Sequence, residues 1–108
     1  MAEARSKSEL VELAERDVDA FQAALPGVRQ KRLERLVDKL DEAKLYRATE
    51  LAYLELLERE PENEEFHRWL GFNLYFRQRD ARRAEAFLEQ AAAKFPEMQA
   101  RSGQRKDL

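Results

Sequence analysis

Three prolines cut the chain at equal intervals, with Pro26, Pro61 and Pro96 each 35 residues apart. Proline lacks a backbone amide and crowds the preceding helical turn, so it ends helices. The residues ahead of each proline keep the same register. Twelve positions before stand Ala14, Thr49 and Ala84, all small; eight before stand Val18, Tyr53 and Leu88; five before stand Phe21, Leu56 and Ala91. In the other helix class, Leu33, Leu36 and Leu40 map onto His67, Leu70 and Leu74 at an offset of 34. Agreement in both classes marks an internal repeat. A repeat of this length is one supersecondary unit, which buries its apolar face only against a neighbour.

The spacing of apolar residues by three and four predicts helices throughout. Residues 8–25 place Leu10, Leu13, Ala14, Asp17, Phe21, Ala24 and Leu25 on one stripe, of which Asp17 is the one polar member. Ser6 and Glu9 have capping-box spacing, and Pro26-Gly27 is expected to stop the helix, Gly tolerating left-handed dihedrals. Residues 28–42 carry Leu33, Leu36, Val37 and Leu40 on one face. Residues 45–60 carry Ala48, Leu51, Ala52, Tyr53, Leu54, Leu56 and Leu57 over more than one face. Asn63 is a candidate N-cap for a fourth helix bearing Phe66, Trp69, Leu70, Gly71, Phe72, Leu74, Tyr75 and Phe76. Being apolar nearly all round, that helix is expected to pack on both sides. Asp80 is a candidate cap for a fifth, with a stripe at Ala84, Phe87, Leu88, Ala91, Ala92 and Phe95 and an end at Pro96.

Leu70-Gly71, Leu74-Tyr75, Ala84, Leu88, Ala91 and Pro96 together resemble the tetratricopeptide repeat (TPR) family, a helix-turn-helix unit of about 34 residues. The preceding repeat departs from that pattern, with Leu36-Val37 at the Leu-Gly position and Thr49 at the small one. Leu33 and His67 occupy the family's Trp position, while Trp69 stands two places later. The resemblance covers residues 10–96 and implies an all-α fold, a right-handed TPR-like α-solenoid of five stacked antiparallel helices. A generic antiparallel five-helix bundle is the competing architecture. The expected organisation is a flexible N-terminus over 1–7, a helical domain over 8–96 and a polar tail over 97–108.

Charge alternates along this layout. Residues 8–27 hold five acids and one base, and residues 28–44 six bases and four acids; residues 45–65 hold seven acids and two bases, and residues 66–83 five bases and one acid. The first helix of each hairpin is therefore basic and its partner acidic. In the family resembled, those first helices line a concave groove that receives a peptide. Carried across, the groove positions are Lys31, Glu34, Asp38 and Asp41, then Arg68, Phe72, Tyr75 and Phe76. The acids in the first set depart from the Lys/Asn carboxylate clamp of chaperone-binding members. Lys31, Arg35, Arg68, Trp69, Phe72, Tyr75 and Phe76 are the candidate partner-binding residues. Two readings stay open for the aromatic stripe: ordinary core, or a grip on the apolar face of a partner helix. Likewise the basic and acidic helices either attract an acidic peptide or simply complement one another.

Catalysis finds no support. There is no Cys and one His, which removes thiolate and His-pair metal sites. His67 has no acid or nucleophile at fixed spacing and is expected at a surface or groove edge. Glu58, Glu60, Glu62, Glu64 and Glu65 lack the alternation and central Gly of a calcium loop. Arg77, Arg79, Arg82 and Arg83 form a basic cluster, but a net charge of −2 speaks against nucleic acid. No apolar run is long enough for a membrane span, and the polar N-terminus has no signal-peptide core, so the cytoplasm is expected. The function expected is a protein-binding adaptor without cofactor or metal, taking an acidic or amphipathic segment of a partner. A secretion-type chaperone of bacterial kind and a self-assembling homo-oligomer are the alternatives.

Overall fold

The structure, a computed structural model, describes residues 7–94, which are all-α with no strand. The chain divides into two compact units, Met1–Pro61 and Glu62–Leu108. The tail over 97–108, Ser6, Phe95 and Pro96 lie outside the described residues. Among the described residues, no helix is long and apolar enough to cross a membrane.

The first unit opens with a correction. The single helix expected over 8–25 is two, α1 (Lys7–Arg16) and α2 (Val18–Ala24). Asp17 between them is extended, at φ −155 and ψ 92, and its carboxylate accepts the Ala20 amide at 3.1 Å. Burying a carboxylate on an apolar stripe is costly. Leaving the helix keeps Asp17 exposed and makes it the N-cap of α2. Leu10, Leu13 and Ala14 are buried on α1 and Phe21 on α2, while α1 packs on α3 (Gln30–Glu42) and α2 on α4 (Tyr46–Arg59). The break lets each half follow its own partner. After α2 the chain makes a 3₁₀ turn over Leu25–Gly27, closed by the Val28 amide on the Leu25 carbonyl at 3.0 Å. Gly27 has no positive φ, contrary to expectation; among the described residues the left-handed ones are Lys44, at 62°, and Arg79, at 54°.

α3 buries the four residues of its stripe, Leu33, Leu36, Val37 and Leu40. α4 is buried over more than one side, including Ala48, Leu51, Ala52, Leu56 and Leu57. Two polar residues go in with them. The Thr49 hydroxyl donates to the Leu45 carbonyl at 2.9 Å, and Glu50 meets Arg47 at 2.8 Å. Arg59 then ties the end of α4 to the 3₁₀ turn. Its guanidinium donates to the Leu25 carbonyl at 3.1 Å, the Pro26 carbonyl at 3.4 Å and the Glu55 carboxylate at 3.0 Å.

The second unit is a helical hairpin of α5 (Glu64–Phe72), a π turn (Asn73–Arg77) and α6 (Ala81–Lys94). Both expected caps form. Asn63 accepts the Glu65 and Phe66 amides at 3.0 and 3.3 Å, and Asp80 accepts the Arg83 amide at 3.1 Å. Gly71 lies against α6: a Cβ built on it would stand 2.7 Å from Leu88 Cδ2. Ala84 and Ala91 of α6 are buried.

Candidate functional site

α5 offers apolar side chains around most of its circumference, yet only one side is covered. His67, Leu70, Gly71 and Leu74 are buried. His67 stacks on Phe87 of α6 with centroids 5.6 Å apart, so its expected surface position is corrected. At an i, i+3, i+4 spacing, His67, Leu70, Gly71 and Leu74 fall on a single face. Their neighbours in sequence are turned outward by the same periodicity. Trp69, Phe72, Tyr75 and Phe76 are exposed by 49%, 38%, 46% and 59%. Neither packing of α5 on both sides nor a core role for the stripe describes this helix.

The four rings hold one another. Trp69 meets Phe72 edge-on at 5.9 Å, Phe72 lies tilted on Phe76 at 4.9 Å, and Tyr75 meets Phe76 edge-on at 4.9 Å. Edge and tilted pairs at these separations are favourable, by about 0.5–1.5 kcal/mol each beyond the area buried. The strip extends about 10 Å along the helix and leaves about 400 Å² of aromatic surface in solvent.

A π turn supports its far end. The Gln78 amide donates to the Asn73 carbonyl at 2.9 Å, and the Gln78 side chain donates to Asn73 Oδ1 at 2.8 Å. Asn73 is thus buried with its carbonyl and its side-chain oxygen both satisfied. An extra residue in a helical turn re-aims the side chains around it, and π turns recur at functional sites. Arg79 follows in the left-handed region, with the Asp80 amide closing back on the Leu74 carbonyl at 2.8 Å. A non-glycine residue there costs on the order of 1 kcal/mol.

The charges around the strip are sorted. Glu65, exposed, stands one turn before Trp69. Arg77 places its guanidinium 5.2 Å from the centre of the Phe72 ring. Arg79 lines a shallow depression with Tyr75, Phe76 and Ala81. Arg68 is held along α5 by Glu64 at 3.1 Å. Arg77 and Arg79 were visible in the sequence only as members of a basic cluster; their place beside the rings depends on the π turn, which has no sequence signature.

Lys31 and Arg35 belong to the first unit. They are exposed one turn apart on α3, where with Arg29, Gln30 and Arg32 they line an open basic depression. The first turn of α3 holds no acid. The acidic groove positions have local partners: Glu34 accepts from Gln30 at 2.8 Å, and Asp38 and Asp41 act on Tyr53. Burial pushes the Tyr53 phenol up to about 12, and those two carboxylates add to the effect. Among the described residues, no cluster of His, Cys, Asp and Glu is placed to hold a metal ion. No known protein family, curated protein or solved structure matches the chain.

Proposed function

We propose that this protein is a protein-binding module whose docking surface is the aromatic strip Trp69, Phe72, Tyr75 and Phe76. One observation carries the reading: four large rings, packed on each other, stand in solvent on a helix whose other face is buried. A contiguous apolar patch of this size matches the largest on a typical monomer, and such patches are often functional. Aromatic side chains have few rotatable bonds, and rings that already touch lose little freedom on binding. The tetratricopeptide-like reading is carried forward as a proposal, supported by the 35-residue spacing of the prolines and by a helical hairpin in each unit.

The test places a photo-crosslinking amino acid at position 76 and compares proteins recovered from native lysate by the parent chain and by Phe76→Ala. The module reading expects crosslinks from position 76 to a partner that Phe76→Ala no longer retains. Equal recovery by both chains would refute it.

A further inference from the structure

The strip reads as a mirror about Phe72. Three positions to either side stand the rings of Trp69 and Tyr75, four to either side Arg68 and the ring of Phe76, and seven to either side Glu65 and Arg79. All six are exposed. Glu65 closes one end of the strip and Arg79 the other, where Arg79 lines the depression beside Tyr75 and Phe76. Among the described residues, neither the Glu65 carboxylate nor the Arg79 guanidinium is held in an ion pair. Arg77 already sits over its own Phe72 ring, at 5.2 Å, so Arg79 is the charge left to that end.

A two-fold axis makes use of such a mirror. In an isologous pair every contact occurs twice, residue i on j and j on i, so one face must complement itself. Two copies of α5 run antiparallel, with the axis at Phe72, bring Phe72 onto Phe72 and each Trp69 to the Tyr75–Phe76 end of the other copy. Each Glu65 then meets the other copy's Arg79, so opposite charges face each other at both ends. Arg68, held along α5 by Glu64 at 3.1 Å, keeps the flat side of its guanidinium for the other copy's Phe76 ring. A parallel pair would instead set Glu65 on Glu65 and Arg79 on Arg79, which like charges disfavour.

Other occupants fit less well. A different protein places no symmetry requirement on this face, and here the requirement is met in the rings and in the charges. A free peptide would also have to be folded into a helix, whereas the second copy's α5 is already capped by Asn63 and packed on α6. The rings stand 4.9–5.9 Å apart in tilted or edge contact and fill the space between themselves. That leaves no slot for a proline-rich segment or a nucleobase. Two strips together bury about 800 Å² of aromatic surface, and the stems of Arg68 and Arg79 add to it, at the low end of specific interfaces. Such a pair is reversible, in the micromolar range.

Resting on the reading of the strip as a docking surface, we infer that its occupant is a second copy of this chain. The two copies dock α5 on α5, antiparallel about a two-fold axis at Phe72, with Glu65 of each copy against Arg79 of the other.

Sedimentation equilibrium of the full chain should show monomer and dimer exchanging with concentration, and the dimer weakening as salt rises. Phe76→Ala should weaken the dimer by about tenfold or more. Glu65→Arg and Arg79→Glu should each weaken it by a similar factor, since either sets like charges together at both ends. Mixed in equal amounts, those two variants should pair with each other and restore the dimer, because the reversed ends then face each other. Far-UV circular dichroism should be unchanged in each variant. In the purified parent chain, a photo-crosslinking amino acid at position 76 should join two copies through the other's 65–69 segment. A dimer indifferent to Phe76→Ala, or a mixture of the charge variants that stays monomeric, would overturn the inference. A chain that is monomeric throughout, while position 76 crosslinks a different protein that Phe76→Ala no longer retains, would overturn the second copy and leave the docking surface standing. A monomer without any Phe76-dependent crosslink would end both readings.

Discussion

Enlarging Gly71 should act through one identifiable neighbour, Leu88. A Cβ at position 71 would lie 2.7 Å from Leu88 Cδ2, 3.2 Å from Cγ and 3.6 Å from Cδ1. Carbon atoms prefer about 3.5–4.0 Å, so Gly71→Ala requires the Leu88 tip to withdraw by roughly 1 Å. Leu88 is only half-buried and can turn. An off-rotamer side chain costs about 0.5–1.5 kcal/mol, and replacing a mid-helix glycine with alanine returns about 1 kcal/mol. The two nearly cancel, and Gly71→Ala should stay within about 1 kcal/mol of the parent. Gly71→Leu adds three more carbons where Leu88 already sits, which overpacks the contact by about 1–3 kcal/mol. In a chain of 108 residues, each kcal/mol moves the melting temperature by about 4 °C. Urea unfolding followed by Trp69 fluorescence reports on the same helix, and far-UV circular dichroism follows the whole chain in parallel. The decisive variant is the exchange Gly71→Leu with Leu88→Ala. If the clash is the mechanism, the pair should be at least about 1 kcal/mol more stable than the two single effects added. Strict additivity, or a Gly71→Leu chain as stable as the parent, would refute the close approach of α5 and α6.

Three further outcomes are expected. Arg59→Met removes the guanidinium from the Leu25 and Pro26 carbonyls and from Glu55, and should cost about 1.5–3 kcal/mol in urea unfolding; a loss too small to resolve would sink the clasp. Asp17→Ala removes the cap of α2 at a cost of about 1 kcal/mol, whereas Asp17→Asn should keep most of it; equal melts for all three chains would contradict the cap. One of the three tyrosines should form its phenolate near pH 12 in an alkaline absorbance titration, and Asp38→Asn should bring that step down. Because the phenol is raised from 10.0 to about 12 on folding, the unfolded chain loses this proton first. Tyr53 therefore takes nothing from stability below pH 10, and stability falls as pH rises from 10 towards 12. Three tyrosines titrating together would remove the basis for this.

Much of the helical layout was legible because it depends on near neighbours. Asn63 and Asp80 cap the helices their positions foretold, and the four buried residues of α3 are those of its stripe. The Asp17 break was half legible: a lone carboxylate on an apolar stripe signals a conflict, but periodicity alone does not say whether the helix bends, ends or buries the charge. His67 and the aromatic strip were not legible. A histidine carries no burial signal of its own, and Phe87, on which it stacks, lies twenty positions further along the chain.

By itself, then, the sequence determined that residues 7–94 are helical, that Asn63 and Asp80 cap helices, and which residues of α3 turn inward. These follow from interactions within a few residues: caps, proline's missing amide, and the 3.6-residue period. Which side of α5 goes uncovered was decided by tertiary structure alone. A helix apolar on all sides buries whichever faces its neighbours reach. The contact of Gly71 with Leu88, the stacking of His67 on Phe87 and the π turn at Asn73 together leave Trp69, Phe72, Tyr75 and Phe76 in solvent beside Arg77 and Arg79.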